Sequence, residues 1–186
     1  MPRYDTTIKG EMDVNEYLAM LSKSTFNKGR VSARHVWINQ SAYMRIHDTK
    51  QEALDHAVDD KDTLHFASQS EAYRYQQLRL EESEGLIVNL MVQPEFTLIS
   101  IGDYELKWKA DFQYQVVVDN KPSFMMVEDV KSYQEKTGKW FVANGETKLK
   151  MQIFNAWMQH HHPKWKFYLV DAHSGMSEAY HESHFV

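Results

Sequence analysis

The stretch MMVEDVK, residues 125–131, decides how the rest of this chain is interpreted. Methionine and valine are typical of a buried strand, yet Glu128, Asp129 and Lys131 stand among them. Burying such charged groups costs several kcal/mol each unless they are paired or hold a metal ion. The stretch therefore predicts a strand whose charges are either tightly paired or functional.

The preceding segment is predicted to pair with this strand as a hairpin. Apolar and polar residues alternate from Tyr104 to Val118, as in one strand with two different faces, and residues 119–122 (DNKP) are typical of a turn. If the turn is centred on Asn120, Asp111 lies opposite Asp129, with their Cβ atoms about 5 Å apart. Lys131 projects from the same face, because strand side chains alternate with period two. The hairpin thus brings two carboxylates and an amine together.

Two interpretations of this cluster follow from the residues alone. Carboxylates this close repel each other unless a cation lies between them, which suggests a divalent metal ion with oxygen ligands. Alternatively, Lys109 and Lys131 neutralise Asp111 and Asp129 in a salt-bridge ladder on a solvated sheet face. The residues leave both interpretations open.

Helical patterns flank the predicted strands. Residues 49–52 (TKQE) and 68–71 (SQSE) have the pattern of capping boxes, and the second should open a helix that ends at Gly85. Another helix is predicted from Glu146 to His160, and a shorter one from Asp13 to Leu21. The stretches LIVNLMV, EFTLISI and WKFYLV are predicted strands, and the helix before the last of them can act as a crossover that makes it parallel to its neighbour.

These elements predict an α/β sandwich with a central mixed sheet and flanking helices, in the order helix, antiparallel strands, helix, strand. Residues 63–171 are predicted to form the core. Residues 1–62 are expected to be a partly helical N-terminal extension, and residues 172–186 a polar, histidine-containing tail.

Composition excludes several classes of protein. The chain has 186 residues, 42% of them hydrophobic, which suits one domain. It has no cysteine, so any metal ion must be held by carboxylate, imidazole, carbonyl or water. The net charge of -5 argues against nonspecific coating of nucleic acid. Without a long apolar run or the apolar core of a secretion signal, we expect a soluble cytoplasmic protein.

Several motifs in order resemble the PD-(D/E)XK nuclease superfamily, in which an Asp on one strand and an acidic-x-Lys on the next hold Mg²⁺ against a phosphodiester. They are FASQSEAYRY (66–75), VQPEF (92–96), ADFQY (110–114), VEDVKS (127–132) and TKLKMQIF (147–154). Together they are similar to a branch of bacteriophage proteins of unassigned function near the Holliday-junction resolvases. The resemblance covers about residues 64–170 and implies a restriction-endonuclease-like fold.

The resemblance also implies roles for individual residues. Asp111 and Asp129 would be metal ligands, with a further ligand from the backbone carbonyl of Val130, and Lys131 would be the catalytic amine. Glu71 would be the helical carboxylate that completes the site, although its place in a capping box explains it equally well.

Two positions depart from the family's pattern. Ala110 stands where the family name has proline. Glu128 adds a carboxylate that alternation turns away from Asp129; either a bulge returns it to the metal ion, or it pairs with another group.

The activity implied by the resemblance is Mg²⁺-dependent hydrolysis of DNA, with Mn²⁺ as a possible substitute. Branched DNA, a homodimer and, for a phage protein, the cytoplasm of the bacterial host are implied in the same way. A nuclease-like fold that binds DNA or inhibits a host protein without cleavage is the alternative. A zinc site built from His160, His161, His162 and the histidines of the tail is a third interpretation.

Contacts to DNA are predicted from basic and aromatic residues, for which solvated surface charge is the other interpretation. They are Arg30, Arg34, Lys139, Trp140, Lys148 and Lys150.

Overall fold

Each helix in the described part of the chain begins after a residue whose side chain caps it. The computed structural model describes residues 35–40, 45–55, 63–142 and 144–181. Helices α1 (Lys50–Leu54), α2 (Gln69–Ser83) and α3 (Gly145–His161) follow Thr49, Ser68 and Asn144. Each cap side chain accepts a hydrogen bond from the backbone amide three residues later, which satisfies a donor that the first turn leaves unpaired. Thr49 and Ser68 are thus confirmed as N-caps, and the Glu71 side chain also bonds back to the Ser68 hydroxyl and the Ala67 amide.

The described residues form strands in four sheets. The strands are β1 (Val36–Asn39), β2 (Arg45–His47), β3 (Thr63–Phe66), β4 (Ile87–Val92), β5 (Glu95–Ile101), β6 (Tyr104–Lys109), β7 (Phe112–Val118), β8 (Lys121–Val130), β9 (Tyr133–Gln134), β10 (Lys139–Trp140), β11 (Lys166–Asp171) and β12 (Met176–Ala179). The central sheet has the order β12-β11-β8-β7-β4. Three smaller sheets have the orders β2-β1-β3, β5-β6 and β10-β9.

The central sheet is mixed, as predicted. Strand β8 pairs antiparallel with β7 and parallel with β11, and α3 lies in the connection between the two parallel strands. Strand β12 then pairs antiparallel with β11 at the edge of the sheet. The predicted start of a polar tail at residue 172 therefore lies inside this last hairpin.

Two hydrophobic cores cover the two faces of the central sheet. Helix α2 packs on one face, where its buried residues Ala72, Tyr75 and Leu78 join a core with Phe112 and Val130. Helix α3 packs on the other face, and the buried residues of that core are Phe96, Leu98, Trp108, Ala110, Val127, Trp140, Met151, Phe154, Met158, Phe167, Leu169 and Tyr180. The protein is thus a mixed α/β fold with a helix on each side of its sheet.

The strand predicted from Tyr104 to Val118 is interrupted in the structure. Strand β6 ends at Lys109 and belongs to the β5-β6 sheet, whereas β7 begins at Phe112 in the central sheet. The amide of Gln93 donates to the Asp111 carbonyl (2.8 Å), so strand pairing continues across the break. Trp108 and Phe112 consequently lie in different cores, although alternation places them on one face. Asp111 lies at this break.

The first third of the chain also contains more strand than predicted. Strands β1, β2 and β3 form an antiparallel sheet, and Val36, Ile38 and Phe66 enter the core beneath α2. The helix predicted from Asp13 to Leu21 lies outside the described residues. Within the described residues, the helices are too short or too polar to cross a membrane.

Candidate active site on strand β8

The β7-β8 hairpin has the predicted register beside the charged cluster. Phe112 pairs with Glu128 and Tyr114 with Met126, as a turn centred on Asn120 requires. The turn itself is formed by Asp119 and Asn120, which both have positive φ (51° and 58°), so it lies half a position earlier than predicted. A register shift between Gln115 and Val117 compensates for this difference.

Asp111 and the end of β8 are joined by two hydrogen bonds. The backbone amide of Asp111 donates to the Glu128 carbonyl (3.1 Å), and the amide of Val130 donates to Oδ2 of the Asp111 carboxylate (2.6 Å). The break between β6 and β7 therefore places this carboxylate against the backbone of the strand that carries Asp129 and Lys131.

Lys131 lies against the second carboxylate. Its Nζ is 2.7 Å from Oδ2 of Asp129 and donates a hydrogen bond to the Val130 carbonyl (3.1 Å). The Asp129 side chain is only 4% exposed, and the ion pair with Lys131 is the one contact given to its Oδ2 by the described residues. A single ion pair is few partners for a buried carboxylate, since buried ion pairs that stabilise a fold need additional hydrogen bonds.

The charges around this cluster shift the pKa values of Asp111 and Lys131. Burial and the charge of Asp129 raise the pKa of the Asp111 carboxyl well above its ordinary value, and the opposing effect of Lys131 does not cancel them. Burial alone would lower the pKa of Lys131, but the carboxylates of Asp129 and Asp111 outweigh it and the net shift is upward. Without a metal ion, Lys131 is therefore a firmly protonated cation between two acids.

Glu71 caps helix α2 and also lies close enough to affect this cluster. Its Oε1 accepts a hydrogen bond from the Ser68 hydroxyl (3.0 Å), and its Oε2 accepts one from the Ala67 amide (3.0 Å). Its charge also contributes to the raised pKa of Asp111 and of Lys131. The capping role predicted as its alternative is thus confirmed. No group of three or more His, Asp or Glu side chains in the described ranges is arranged to hold a metal ion.

The donor atoms nevertheless suit a hard cation. Two aspartate carboxylates and the Val130 carbonyl offer only oxygen, and Mg²⁺ is usually bound through one or two carboxylates while it keeps several waters. Oδ2 of Asp129 already lies beside one cation, the Lys131 ammonium group at 2.7 Å, which also donates to the Val130 carbonyl. The oxygen donors of Asp111, Asp129 and Val130 are of the type that Mg²⁺ binds together with water or phosphate.

Glu128 belongs to a different network and is not directed at the cluster. Arg74 on α2 donates to both of its oxygens (2.9 Å to Oε2 and 2.8 Å to Oε1), and the Tyr114 hydroxyl donates to Oε1. Arg74 also pairs with Glu81 at 2.9 Å. Of the two alternatives given for Glu128, the structure shows pairing. Its assignment as a possible metal ligand is therefore corrected.

The residues predicted to contact DNA lie in different environments, and Trp140 is buried. Trp140 is fully buried and its indole N–H donates to Glu178 (3.1 Å), so the prediction that this side chain meets DNA is wrong. Its neighbour Phe141 is 52% exposed, and its amide donates to the carbonyl of Ser132, next to Lys131.

The basic residues predicted to contact DNA lie on α3 and β10. Lys150 pairs with Glu146 (2.7 Å) on α3, where Lys148 also lies, and Lys139 is half-buried on β10. Arg30 and Arg34 lie outside the described residues.

The histidines of the α3 C-terminus are part of an aromatic group. His162 stacks on Trp165 with ring centroids 4.0 Å apart, and His161 lies 5.1 Å from the Trp157 ring. With no metal-holding group found in the described part of the chain, nothing here supports the zinc interpretation.

Sequence reasoning did not identify Arg74, Tyr114 or Gln93. The partner of Glu128 had a signal in the sequence, because a carboxylate predicted to face a core requires a cation, and Arg74 lies one helical turn beyond Glu71. Gln93 had none, since its role depends on the backbone at the strand break.

Comparison with known proteins gives a family but no function. No match was found among curated proteins or among solved structures. Residues 56–167, more than half of the chain, match the model of a family described as Protein of unknown function (DUF1064). The chain belongs to this family.

Proposed function

We propose that this protein is a metal-dependent endonuclease that hydrolyses DNA phosphodiester bonds, with a restriction-endonuclease-like arrangement of its core. One observation carries the proposal. Asp111 and Asp129 meet Lys131 at the end of β8, and the Lys131 ammonium group, 2.7 Å away, is the single partner that the described residues give the buried Oδ2 of Asp129.

A purely structural role for the cluster explains it less well. Buried ion pairs that stabilise a fold need additional hydrogen bonds to offset desolvation, as Glu128 receives from Arg74 and Tyr114. Asp129 receives one ammonium group at 2.7 Å, and Asp111 carries an unfavourable raised pKa beside it. Residues held in such an unfavourable arrangement are typical of functional sites.

The residues would have separate roles in phosphodiester hydrolysis. Asp111, Asp129 and the Val130 carbonyl would hold Mg²⁺, and Glu71, whose charge acts on Asp111 and Lys131, would bind a water of its shell. When bound, Mg²⁺ polarises a phosphoryl oxygen and lowers the pKa of a water molecule. Lys131 would stabilise the negative charge that develops on the phosphate and orient the attacking water.

The topology also supports the proposal. Strands β8 and β11 are parallel, so their C-terminal ends lie at one edge of the sheet, where the Lys131 amide donates to the Val170 carbonyl (2.9 Å). Ligands of open α/β sheets bind outside the C-terminal ends of the strands. The observed order of helix, antiparallel strands, crossover helix and parallel strand is the one that the nuclease resemblance implies.

The substrate and the assembly are proposed from the resemblance to the resolvase branch. Branched DNA of phage or host is the proposed substrate, and a homodimer is proposed because a four-way junction offers two symmetric cleavage sites. Mn²⁺ should substitute for Mg²⁺ at an all-oxygen site.

Nicking of supercoiled plasmid tests the activity. We expect nicking with Mg²⁺ or Mn²⁺ and none with EDTA. Asp129→Asn and Lys131→Met should each reduce the rate by about 10³-fold, roughly 4 kcal/mol of transition-state stabilisation. Matched controls are Asp103→Asn, in an exposed turn, and Lys107→Met, in an exposed ion pair, which should cut at the wild-type rate. A folded Asp129→Asn variant that cuts as fast as wild type would rule out this site.

A second candidate function is DNA binding without cleavage. It is supported by the Lys131–Asp129 ion pair, which neutralises one carboxylate, and by the absence of a three-ligand group in the described residues. Calorimetric titration with Mg²⁺ and Mn²⁺ distinguishes the two functions. Metal binding that is lost in Asp111→Asn supports the nuclease, and DNA binding that is unaffected by EDTA, without any metal binding, supports the binder.

A further inference from the structure

The outer face of the β2-β1-β3 sheet carries a group of three aromatic rings. Val36 and Ile38 of β1 point into the core, so His35 and Trp37 point outward, as does His65 of β3. The rings of His35 and His65 are stacked, with centroids 5.1 Å apart and planes inclined by 11°, and His35 Nδ1 lies 3.0 Å from His65 Nε2. The Trp37 ring lies 5.0 Å from His65.

These rings are accessible and are held in place by the strands beneath them. Both histidines are exposed and Trp37 is half-buried. Trp37 pairs across the sheet with His65 on one side and His47 on the other. The surface is therefore preorganised rather than formed by side chains that must first be ordered.

One residue connects this surface with the proposed active site. The side chain of Gln93 donates to the carbonyl of His65 (3.2 Å), and its backbone amide donates to the carbonyl of Asp111 (2.8 Å). The charges of Glu71 and Lys109 also act on His65, Glu71 raising its pKa and Lys109 lowering it. The strand that carries His65 is thus joined through Gln93 to the backbone of Asp111, and the exposed Lys109 is near enough for its charge to act on His65.

We propose that His35, Trp37 and His65 form a stacking surface for an unpaired DNA base next to the scissile phosphate. This inference rests on the proposed function and specifies its substrate, namely DNA with single-stranded nucleotides beside the cut. Aromatic side chains stack on bases of any sequence, and a neighbouring cation can hold the phosphate of the same nucleotide. Lys109 provides that cation.

The composition and size of the surface favour a nucleotide over a protein partner. A stable protein interface buries about 800 Å² on each side, whereas three rings at roughly 200 Å² each cannot supply that area. Imidazole and indole rings also combine flat apolar faces with hydrogen-bonding edges, which matches the chemistry of a nucleobase.

Fluorescence titration of a short single-stranded oligonucleotide that contains 2-aminopurine tests the proposal. The titration is done with the full chain in EDTA at fixed salt, so that binding is measured without cleavage. We expect quenching of 2-aminopurine on binding, and binding about 5- to 100-fold weaker in Trp37→Ala and in His65→Ala. Trp37→Phe should retain most of the affinity, because it keeps a stacking face.

Tyr104→Ala is the matched control, since Tyr104 is an aromatic residue that is 84% exposed on a different sheet. Circular dichroism melting identifies any variant that fails to fold. His65 is exposed, so its variant should fold even if Trp37→Ala does not.

The outcomes separate this inference from the proposed function. If wild type nicks DNA but folded Trp37→Ala and His65→Ala bind the oligonucleotide as wild type does, the stacking surface is refuted and the nuclease stands. If oligonucleotide binding depends on both residues but no DNA is cut, the nuclease fails and the surface stands. Self-association that Trp37→Ala abolishes, without any oligonucleotide binding, would show that the rings contact a second copy of the chain, which refutes the proposal.

Discussion

Glu128 and Asp129 are adjacent buried carboxylates on one strand, 2% and 3% exposed, and they differ in the number of their hydrogen-bond partners. Glu128 faces α2 and receives three donors from Arg74 and Tyr114. Asp129 has a single partner of this kind among the described residues, the Lys131 ammonium group, which lies 2.7 Å from its Oδ2.

The contrast shows that two buried carboxylates on one strand can differ in how completely they are hydrogen-bonded. A carboxylate with several donors, such as Glu128, joins a helix to a sheet, and one with a single ionic partner, such as Asp129, is the better candidate for the proposed metal site. The Arg74–Glu128 pair also holds α2, which carries Glu71, against the strand that carries Asp129.

Removing the cation that pairs with Glu128 should have the largest effect on stability. Arg74→Met leaves Glu128 buried without its cation, so we expect the free energy of unfolding to fall by about 3–5 kcal/mol in urea denaturation. Arg79→Met is the matched control on the same helix, because its pair with Glu82 is partly exposed, and it should change stability by less than about 1 kcal/mol. Equal effects of the two substitutions would contradict the comparison.

Removing one donor from the same network should have a smaller effect. Tyr114→Phe deletes the hydroxyl that donates to Glu128 while the two Arg74 hydrogen bonds remain, so we expect a loss of about 1–3 kcal/mol. In a double-mutant cycle with Arg74→Met, the two losses should not be additive, because both side chains bind the same carboxylate. Strict additivity would show that Tyr114 and Arg74 act independently.

Removing the charge of Asp111, which lies beside Asp129, should have the smallest effect on stability, and one of opposite sign. The folded-state pKa of Asp111 is raised, so the folded state holds a proton that the unfolded chain releases above about pH 4, and wild-type stability falls as pH rises through that window. Asp111→Asn removes this penalty and should be more stable than wild type in EDTA at neutral pH. The expected rise in Tm is about 2–4 °C for each kcal/mol of repulsion relieved.

The pH dependence of that gain is its specific signature. The difference in Tm between Asp111→Asn and wild type should vanish at low pH, where the wild-type carboxyl is protonated. Saturating Mg²⁺ should stabilise wild type and leave the variant unchanged. Asp103→Asn, in the exposed turn, should show neither effect. A variant that is less stable than wild type at every pH would mean that Asp111 is a structural residue.

Local signals in the sequence predicted the parts of the fold that local contacts determine. Thr49 and Ser68 cap their helices through residues three positions away, and both predictions hold. The hairpin register was predicted correctly at Phe112 and Glu128 because the earlier turn and the register shift compensate each other.

Long-range contacts account for what sequence reasoning missed. Alternation runs unbroken through Ala110 and Asp111, so the passage from one sheet to another there has no local signature. Trp140 was expected at the surface, but its indole N–H donates a hydrogen bond to Glu178 on the edge strand, 38 residues away. Likewise Glu128 is bound by Arg74, 54 residues earlier; the sequence indicates that Glu128 needs a cation, but the contact itself is formed by the tertiary structure.

The parallel pairing of β8 with β11 affects when the protein becomes competent during synthesis. The β7-β8 hairpin needs only a two-residue turn, whereas the partner of the Lys131 amide is Val170, which a ribosome adds much later. A nascent chain therefore carries its acidic cluster with one side unfinished until α3 and β11 emerge. If the cluster cuts DNA, activity should be absent from a chain truncated before β11, which delays hydrolysis until β11 has been synthesised.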